Sequence, residues 1–290
     1  METKIVKDIQ VHIKQLTKSN ISKKKIKKFF LPIIYYIYKN KNNKFLISGS
    51  QGVGKTTLLK ITEKILKKYF NKRVLSLSLD DFYFDKNERL DLSNKTNPLL
   101  KTRGVPGTHN TKLLIETIKK FEKKIYPIKI PIFEKIIDKR QRCRKIIYKK
   151  CDILILEGWC LGCPPISKKF LLSNINDLEK KYDTNGKWRN YYNSKLKNDY
   201  SKIFKKFNTL IYLNALSFSN ILNWRTKQEK QLSKKNTKYK DYKMSKKEII
   251  NFIQYYEKIT KWMLLKMPMK ANVIINITNK QEISEIIIKN

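Results

Sequence analysis

FLISGSQGVGKTT, residues 45–57, carries an apolar stretch, Phe45-Leu46-Ile47, straight into Gly49-Ser50-Gln51-Gly52-Val53-Gly54-Lys55-Thr56. That is the full GxxxxGK[ST] spacing of a phosphate loop set between a strand and a helix. Glycines let the backbone wrap closely enough for successive N–H groups to hold phosphate oxygens, and the helix that follows aims the positive end of its dipole at them. Lys55 is expected to reach the β- and γ-phosphates and Thr56 to ligate Mg²⁺, with Thr57 ending the nucleotide-binding stretch. Downstream, Leu58, Leu59, Ile61, Ile65 and Leu66 fall on one face of a helix. A glycine-rich turn capping an ordinary helix would require neither flank. The stretch reads as a nucleoside triphosphate site.

Working outward, strand patterns are predicted at 45–49, 74–79, 153–156, 209–213 and 273–277, with helical segments between them. Short strands alternating with helices imply right-handed crossovers and a doubly wound parallel sheet covered on both faces, an α/β architecture of the P-loop nucleoside triphosphate hydrolase type. Ligands in such sheets lie beyond the C-terminal ends of the strands. Ahead of the first strand, Ile5, Ile9, Ile13 and Leu16, then Ile26, Phe29, Phe30 and Ile33, recur at helical spacing and predict two helices in a segment spanning 1–44. Residues 45–290 are read as a single domain. Within it, 166–205 breaks the periodicity and is expected to be an insertion or lid-side segment, and 219–245 a helical lid.

The chain of 290 residues is long enough for one large core. Its 65 basic against 24 acidic residues give a formal charge of +41, which would ordinarily suggest a nucleic-acid or anionic-membrane partner. Here the excess is nearly all Lys, scattered through every segment, so no specific nucleic acid and no membrane is expected. A positive field still favours anionic small molecules. Arg is scarce, which draws attention to positions 103, 140, 142, 144 and 225, because a planar fork grips carboxylate or phosphate as Lys cannot. The pair Cys160 and Cys163 has no second pair and no neighbouring His to complete a zinc site, so free thiols in a reducing cytoplasm are expected. No apolar run approaches the length needed to span a bilayer.

Acidic residues stand at two strand ends. The second strand runs into Asp80-Asp81-Phe82-Tyr83 and the third pattern into Glu157-Gly158-Trp159. A carboxylate at such a tip, next to a phosphate loop, is where a Mg²⁺ ligand, direct or through water, or a base toward an attacking hydroxyl is needed.

Taken in order, SGSQGVGKTT, SLDDFY, RGVPGTHN, PIFEKIIDKR, ILEGWCLG, NWRTKQE and MSKKEIINFIQYYEK resemble the P-loop kinases of the D-glycerate 3-kinase type, relatives of uridine kinase, phosphoribulokinase and bacterial pantothenate kinase. The resemblance spans roughly residues 30–285. SLDDFY and LEG belong to the wider group, whereas RGVPGTHN with EGWCLG is narrower. The resemblance implies an ATP- and Mg²⁺-dependent kinase of a small alcohol, D-glycerate foremost, acting as a monomer or homodimer. It makes Asp80 the base and a metal-site residue, Asp81 a helper or metal-water ligand, and Glu157 the Walker B acid. It also makes Tyr83, Arg103, His109, Lys135, Asp138 and Arg140 acceptor-side residues, and Arg225 a cis cation closing over the transferred group.

Plainer readings stand beside these. His109 also reads as a satisfied loop histidine, Arg225 as a solvated helix position, and Trp159 and Phe82 as core. A kinase of another small alcohol, such as a nucleoside or a pantothenate-like compound, shares most of the motifs. A nucleic-acid-binding NTPase or polynucleotide kinase would need basic residues gathered on one face among exposed aromatics. A protein that binds ATP without turnover would have no need of Lys55, Thr56, Asp80 and Glu157 together.

Overall fold

The computed structural model describes residues 1–135, 137–235 and 244–289, with 228–235 described for the backbone alone. Helix α1 (Glu2–Thr17) is followed by a short turn, α2 (Lys23–Lys25), which runs on through a π-helical stretch, Ile26–Phe30, into α3 (Leu31–Lys39). The wider turn has a cause in the sequence. Pro32 has no N–H to continue the ladder, and at the π-turn Leu31 N–H reaches back to Ile26 O instead.

Strand β1 (Lys44–Gly49) leads into the phosphate loop and α4 (Lys55–Phe70), then β2 (Val74–Ser78). Two further helices, α5 (Lys86–Lys95) and α6 (Thr111–Glu122), precede two small antiparallel ribbons. These pair β3 (Ile128–Ile130) with β6 (Lys145–Ile147), and β4 (Phe133–Glu134) with β5 (Lys139–Arg140). Strand β7 (Ile153–Gly158) returns to the main sheet. After it come α7 (Lys168–Leu172), α8 (Asp177–Tyr182), α9 (Lys187–Lys195) and α10 (Ser201–Phe204), then β8 (Thr209–Asn214). The chain finishes with α11 (Phe218–Lys235), α12 (Lys246–Lys270), β9 (Val273–Ile277) and β10 (Ile283–Ile288).

Among the described residues the main sheet has the order β10-β9-β8-β1-β7-β2, parallel throughout except for β10 against β9. Strand β1 lies between strands that the chain reaches on opposite excursions, so the loop after it opens at the switch point where α/β sheets bind ligands. Side chains alternate across the pleat. Phe45 and Ile47 join α1, α3 and α4 in one layer, while Leu46 faces the other, made with α6, α9 and α12. Each such residue fully buried contributes roughly 1.5–3 kcal/mol, and every residue of β7 is buried.

Three features depart from the expectation of strands separated only by helices. Strand β2 stops at Ser78, and Leu79–Phe82 forms a 3₁₀ turn. The two ribbons lie between β2 and β7, and β10 adds an antiparallel edge. Segment 166–205, expected as an insertion, is a set of short helices with a π-helical stretch at Leu196–Tyr200, which is why its apolar residues miss a 3.6-residue period. Its side chains Trp188, Tyr192 and Tyr200 are buried in the same core as α12. A buried ionic cluster fastens the two: Arg189 Nε lies 2.8 Å from Asp183, and Lys258 on α12 lies 3.3 Å from Glu179 and donates to the carbonyls of Phe170 and Ser173. Of the expected lid at 219–245, residues 236–243 lie outside the described residues.

Candidate active site

The phosphate loop folds as its glycines require. Gly52 and Gly54 take φ of 76° and 104°, in the left-handed region that glycine enters without a Cβ penalty. Lys55 Nζ donates to Ser50 O at 2.8 Å. Burial lowers its pKa, and the nearby carboxylates of Glu157 and Asp80 pull the other way. Thr56 opens α4, and its hydroxyl donates to Glu157 Oε1 at 3.2 Å. The hydroxyl of Ser78, at the end of β2, donates to the same oxygen at 2.9 Å.

This arrangement fits a magnesium ion. Glu157 is 6% exposed and, among the described residues, accepts hydroxyl hydrogen bonds but forms no salt bridge. A buried carboxylate so placed retains an oxygen for a cation, and the donors at hand are hard oxygens. Among the described residues no cluster of three His, Cys, Asp or Glu forms a cage. Mg²⁺ does not need one, since it keeps waters and binds through one or two protein groups plus phosphates. Ser50 Oγ on the loop is also buried without a protein partner.

The 3₁₀ turn after β2 separates the two adjacent aspartates. Asp80 faces the tip of the β4–β5 ribbon, where Lys135 Nζ sits 2.5 Å from its carboxylate. Burial opposes ionisation of Asp80, but the Lys135 ammonium outweighs it, with Lys55 adding to the effect, and holds the pKa at about 2. Asp81 turns toward the ribbon's backbone, accepting from Phe133 N–H at 3.2 Å. Its pKa is pushed up to about 6 by burial, against the pull of that hydrogen bond and with help from the Asp80 charge.

The ribbon is moored by a lattice of guanidinium and carboxylate groups. Asp138, with φ of 53°, accepts from Arg103 Nη1 at 2.5 Å and from the buried Arg89. Arg103 also donates to Lys135 O, its own carbonyl accepts from Tyr256 OH, and its guanidinium lies over the Phe133 ring. Arg140 donates to Tyr83 O and Glu88, and its N–H to Asp85. His109 is 2% exposed and stacks on Tyr83, with ring centroids 4.2 Å apart. Its Nδ1 lies 2.5 Å from Tyr200 OH, Nε2 has no protein partner, and burial lowers its pKa to about 3, so the ring is neutral.

Thus Lys55, Thr56, Asp80, Lys135 and Glu157 converge at the ends of β1, β2 and β7, while Arg103, Asp138, Arg140, Tyr83 and His109 form the wall beside them. Arg225, on α11, is stacked over Phe252 and approaches Met244 Sδ at 3.8 Å. Trp159 and Phe82 are core: Trp159 is 3% exposed and donates to Gly104 O, and Phe82 is fully buried. All four cysteines are free thiols.

Sequence reasoning missed Ser78, Arg89, Tyr200, Tyr256 and Gln281, which donates to Gly52 O. The rarity of Arg was the signal that could have flagged Arg89. The tyrosines and Gln281 carry no local pattern.

No family model matches the chain. A kinase of Schizosaccharomyces pombe described as uncharacterized is 30% identical over 226 residues, covering 72% of this chain and 76% of that protein. The chain belongs to the P-loop kinases of the D-glycerate 3-kinase type. Within this kinase family, a probable ATP-dependent kinase of Saccharomyces cerevisiae is 33% identical over 203 residues, 65% of this chain and 67% of that one. The solved structure of D-glycerate 3-kinase from Cryptococcus neoformans var. grubii has the same fold, with a TM-score of 0.70, 22% identity, and coverage of 90% of this chain and 96% of that one. As a P-loop kinase the chain is a phosphotransferase with an alcohol group as acceptor, and its nucleotide is ATP. Among the described residues no helix is long and apolar enough to cross a membrane.

Proposed function

We propose that this kinase moves the γ-phosphoryl group of ATP to a hydroxyl of a small hydroxy acid, D-glycerate foremost. The observation that carries this reading is Asp80 held against Lys135 at the mouth of the phosphate loop, with Arg103 bonded to the same ribbon. Lys135 and Arg103 give the acceptor pocket two cations suited to a carboxylate. The motifs RGVPGTHN and EGWCLG point to the same acceptor.

In the reaction, Lys55 and the loop amides bind the phosphates. Thr56 and, directly or through water, Glu157 and Asp80 would hold Mg²⁺, which would supply positive charge against the phosphates. Asp80 orients the acceptor hydroxyl and takes its proton. Its low pKa suits the task, because phosphoryl transfer proceeds through a loose transition state that needs an aligned nucleophile more than a strong base. Asp81 holds the ribbon through its backbone, and Asp138 and Arg140 keep Lys135 and Arg103 in place. His109 offers Nε2 to an acceptor oxygen, with Tyr83 as its stacking support. Arg225 closes from α11 as a second positive charge over the phosphoryl group. Segment 166–205 and α11 frame the pocket, α11 on its lid side. Free thiols suit a cytoplasmic site of action, as a monomer or homodimer.

ADP release with Mg-ATP, measured against D-glycerate, uridine, pantothenate, ribulose 5-phosphate and a DNA 5′-hydroxyl end, tests the proposal. Turnover on glycerate that collapses in Asp80→Asn supports base and substrate together. Turnover on another small alcohol moves the substrate, and turnover on DNA alone overturns the reading.

A further inference from the structure

The phosphate loop touches a part of the chain more than two hundred residues away. Gln281, in the turn between β9 and β10, donates from Nε2 to Gly52 O at 2.8 Å. The turn is closed by Thr278 N–H to Glu282 O and Gln281 N–H to Thr278 O, and Gln281 itself stands at φ 62°. A non-glycine residue in that region carries a conformational cost and is seen where surroundings fix it. Trp224 of α11 lies against both the turn and the loop. It is 2% exposed, its indole N–H donates to Asn279 O at 2.8 Å, and its Cβ lies 3.1 Å from where a Cβ on Gly52 would stand.

Across a trans peptide the carbonyl and the following N–H point in opposite directions. Drawing Gly52 O toward Gln281 therefore turns the Val53 N–H to the other side of that peptide plane. Gly52 has no side chain to resist rotation of this plane, so the hydrogen bond supplies the restraint that the residue lacks.

We infer that Gln281, backed by Trp224, is a positioning residue for nucleotide binding: it fixes the Gly52–Val53 peptide so that the loop amides are arranged before the phosphates arrive. The inference rests on the loop being the ATP phosphate site. Losing the restraint leaves contacts to the nucleotide intact but makes binding itself order the peptide, which weakens affinity. One hydrogen bond of this kind corresponds to about three- to tenfold.

The test measures ADP and ATP binding by titration calorimetry on the full chain, with no acceptor present, alongside thermal melts and steady-state kinetics. Gln281→Ala and Gln281→Glu are expected to weaken nucleotide binding about three- to tenfold and raise KM for ATP equally, with kcat and the acceptor KM unchanged. Gln281→Gly discriminates further, because it relieves the positive-φ cost while removing the donor. Its melting temperature should match or exceed that of Gln281→Ala while its nucleotide affinity stays low, a split that a merely structural role would not produce. Equal affinity for wild type and all three variants would overturn the inference while leaving the phosphate site standing. So would affinity that recovers in Gln281→Gly along with stability. Absence of nucleotide binding in the wild type would instead remove the phosphate-site reading on which the inference rests.

Discussion

Adjacent aspartates with pKa values near 2 and 6 are the sharpest electrostatic contrast in the molecule, and they lead to separate expectations. Asp80→Asn keeps the shape and hydrogen-bonding reach of the side chain but removes the charge that pairs with Lys135. A loss of about 10²- to 10⁴-fold in kcat is expected, the usual range for a lost general base, with affinity for metal-free nucleotide unchanged by calorimetry. Asp81 and His109 act on stability in opposite directions. The folded pKa of Asp81 is raised, so between about pH 4 and 6 the folded state holds the extra proton and stability falls as pH rises. His109 is depressed from 6.5 to about 3, so the unfolded state holds the extra proton in that window and stability falls as pH falls. The slopes oppose each other in the wild type. Asp81→Asn leaves the His109 slope alone, so urea midpoints measured from pH 4 to 7 should climb more steeply with pH than in the wild type. A flatter profile would contradict both assignments.

Five of the six sheet strands could be read from the sequence because their apolar residues are mostly buried on both faces, and β2, where half-buried Ser76 and Ser78 alternate with Leu75 and Leu77, still shows a strand period. The sixth, β10, alternates less cleanly: Ser284 and Glu285 interrupt its isoleucines, and none of its residues is fully buried. The β4–β5 ribbon was illegible for a different reason. Two residues a side are too few to show a period, and beside the buried Phe133 the ribbon is held by the polar groups of Asp138, Arg89, Arg103 and Arg140. The phosphate loop was fully legible because its chemistry lies in consecutive residues, whereas Gln281 and Tyr200 reach the site only through the tertiary fold. The ribbon's mooring gives a test. Asp138→Asn weakens its grip on both guanidiniums, and the KM for the acceptor should rise several-fold while ADP affinity holds. The buried cluster under α12 gives another. Lys258→Met leaves Glu179 with Arg189 at 3.6 Å as its remaining ion partner, at a cost of about 3–5 kcal/mol. The melting temperature should fall on the order of 10 °C.

The charge of +41 is spread over the surface, with Lys7 on α1, Lys60 on α4, Lys119 on α6 and Lys202 on α10 all exposed. Such a surface attracts polyanions without organising them. Duplex DNA binding followed by fluorescence anisotropy should weaken by about 10³-fold or more between 50 and 200 mM salt if six or more phosphates are contacted, and affinity that persists at the higher salt would argue for a built nucleic-acid site. The outer strand poses a different question for the molecule as a whole. Among the described residues no further strand pairs with β10, and Ile287 and Ile288 are 39% and 41% exposed. An unpaired backbone edge beside exposed isoleucines is a template on which a second molecule can extend the sheet. Glu285, which accepts from Asn276, and Glu282, paired with Lys25, place charge along that strip. Those two acids therefore act as guards against self-assembly, and replacing Glu285 with valine should produce concentration-dependent light scattering before any loss of catalysis.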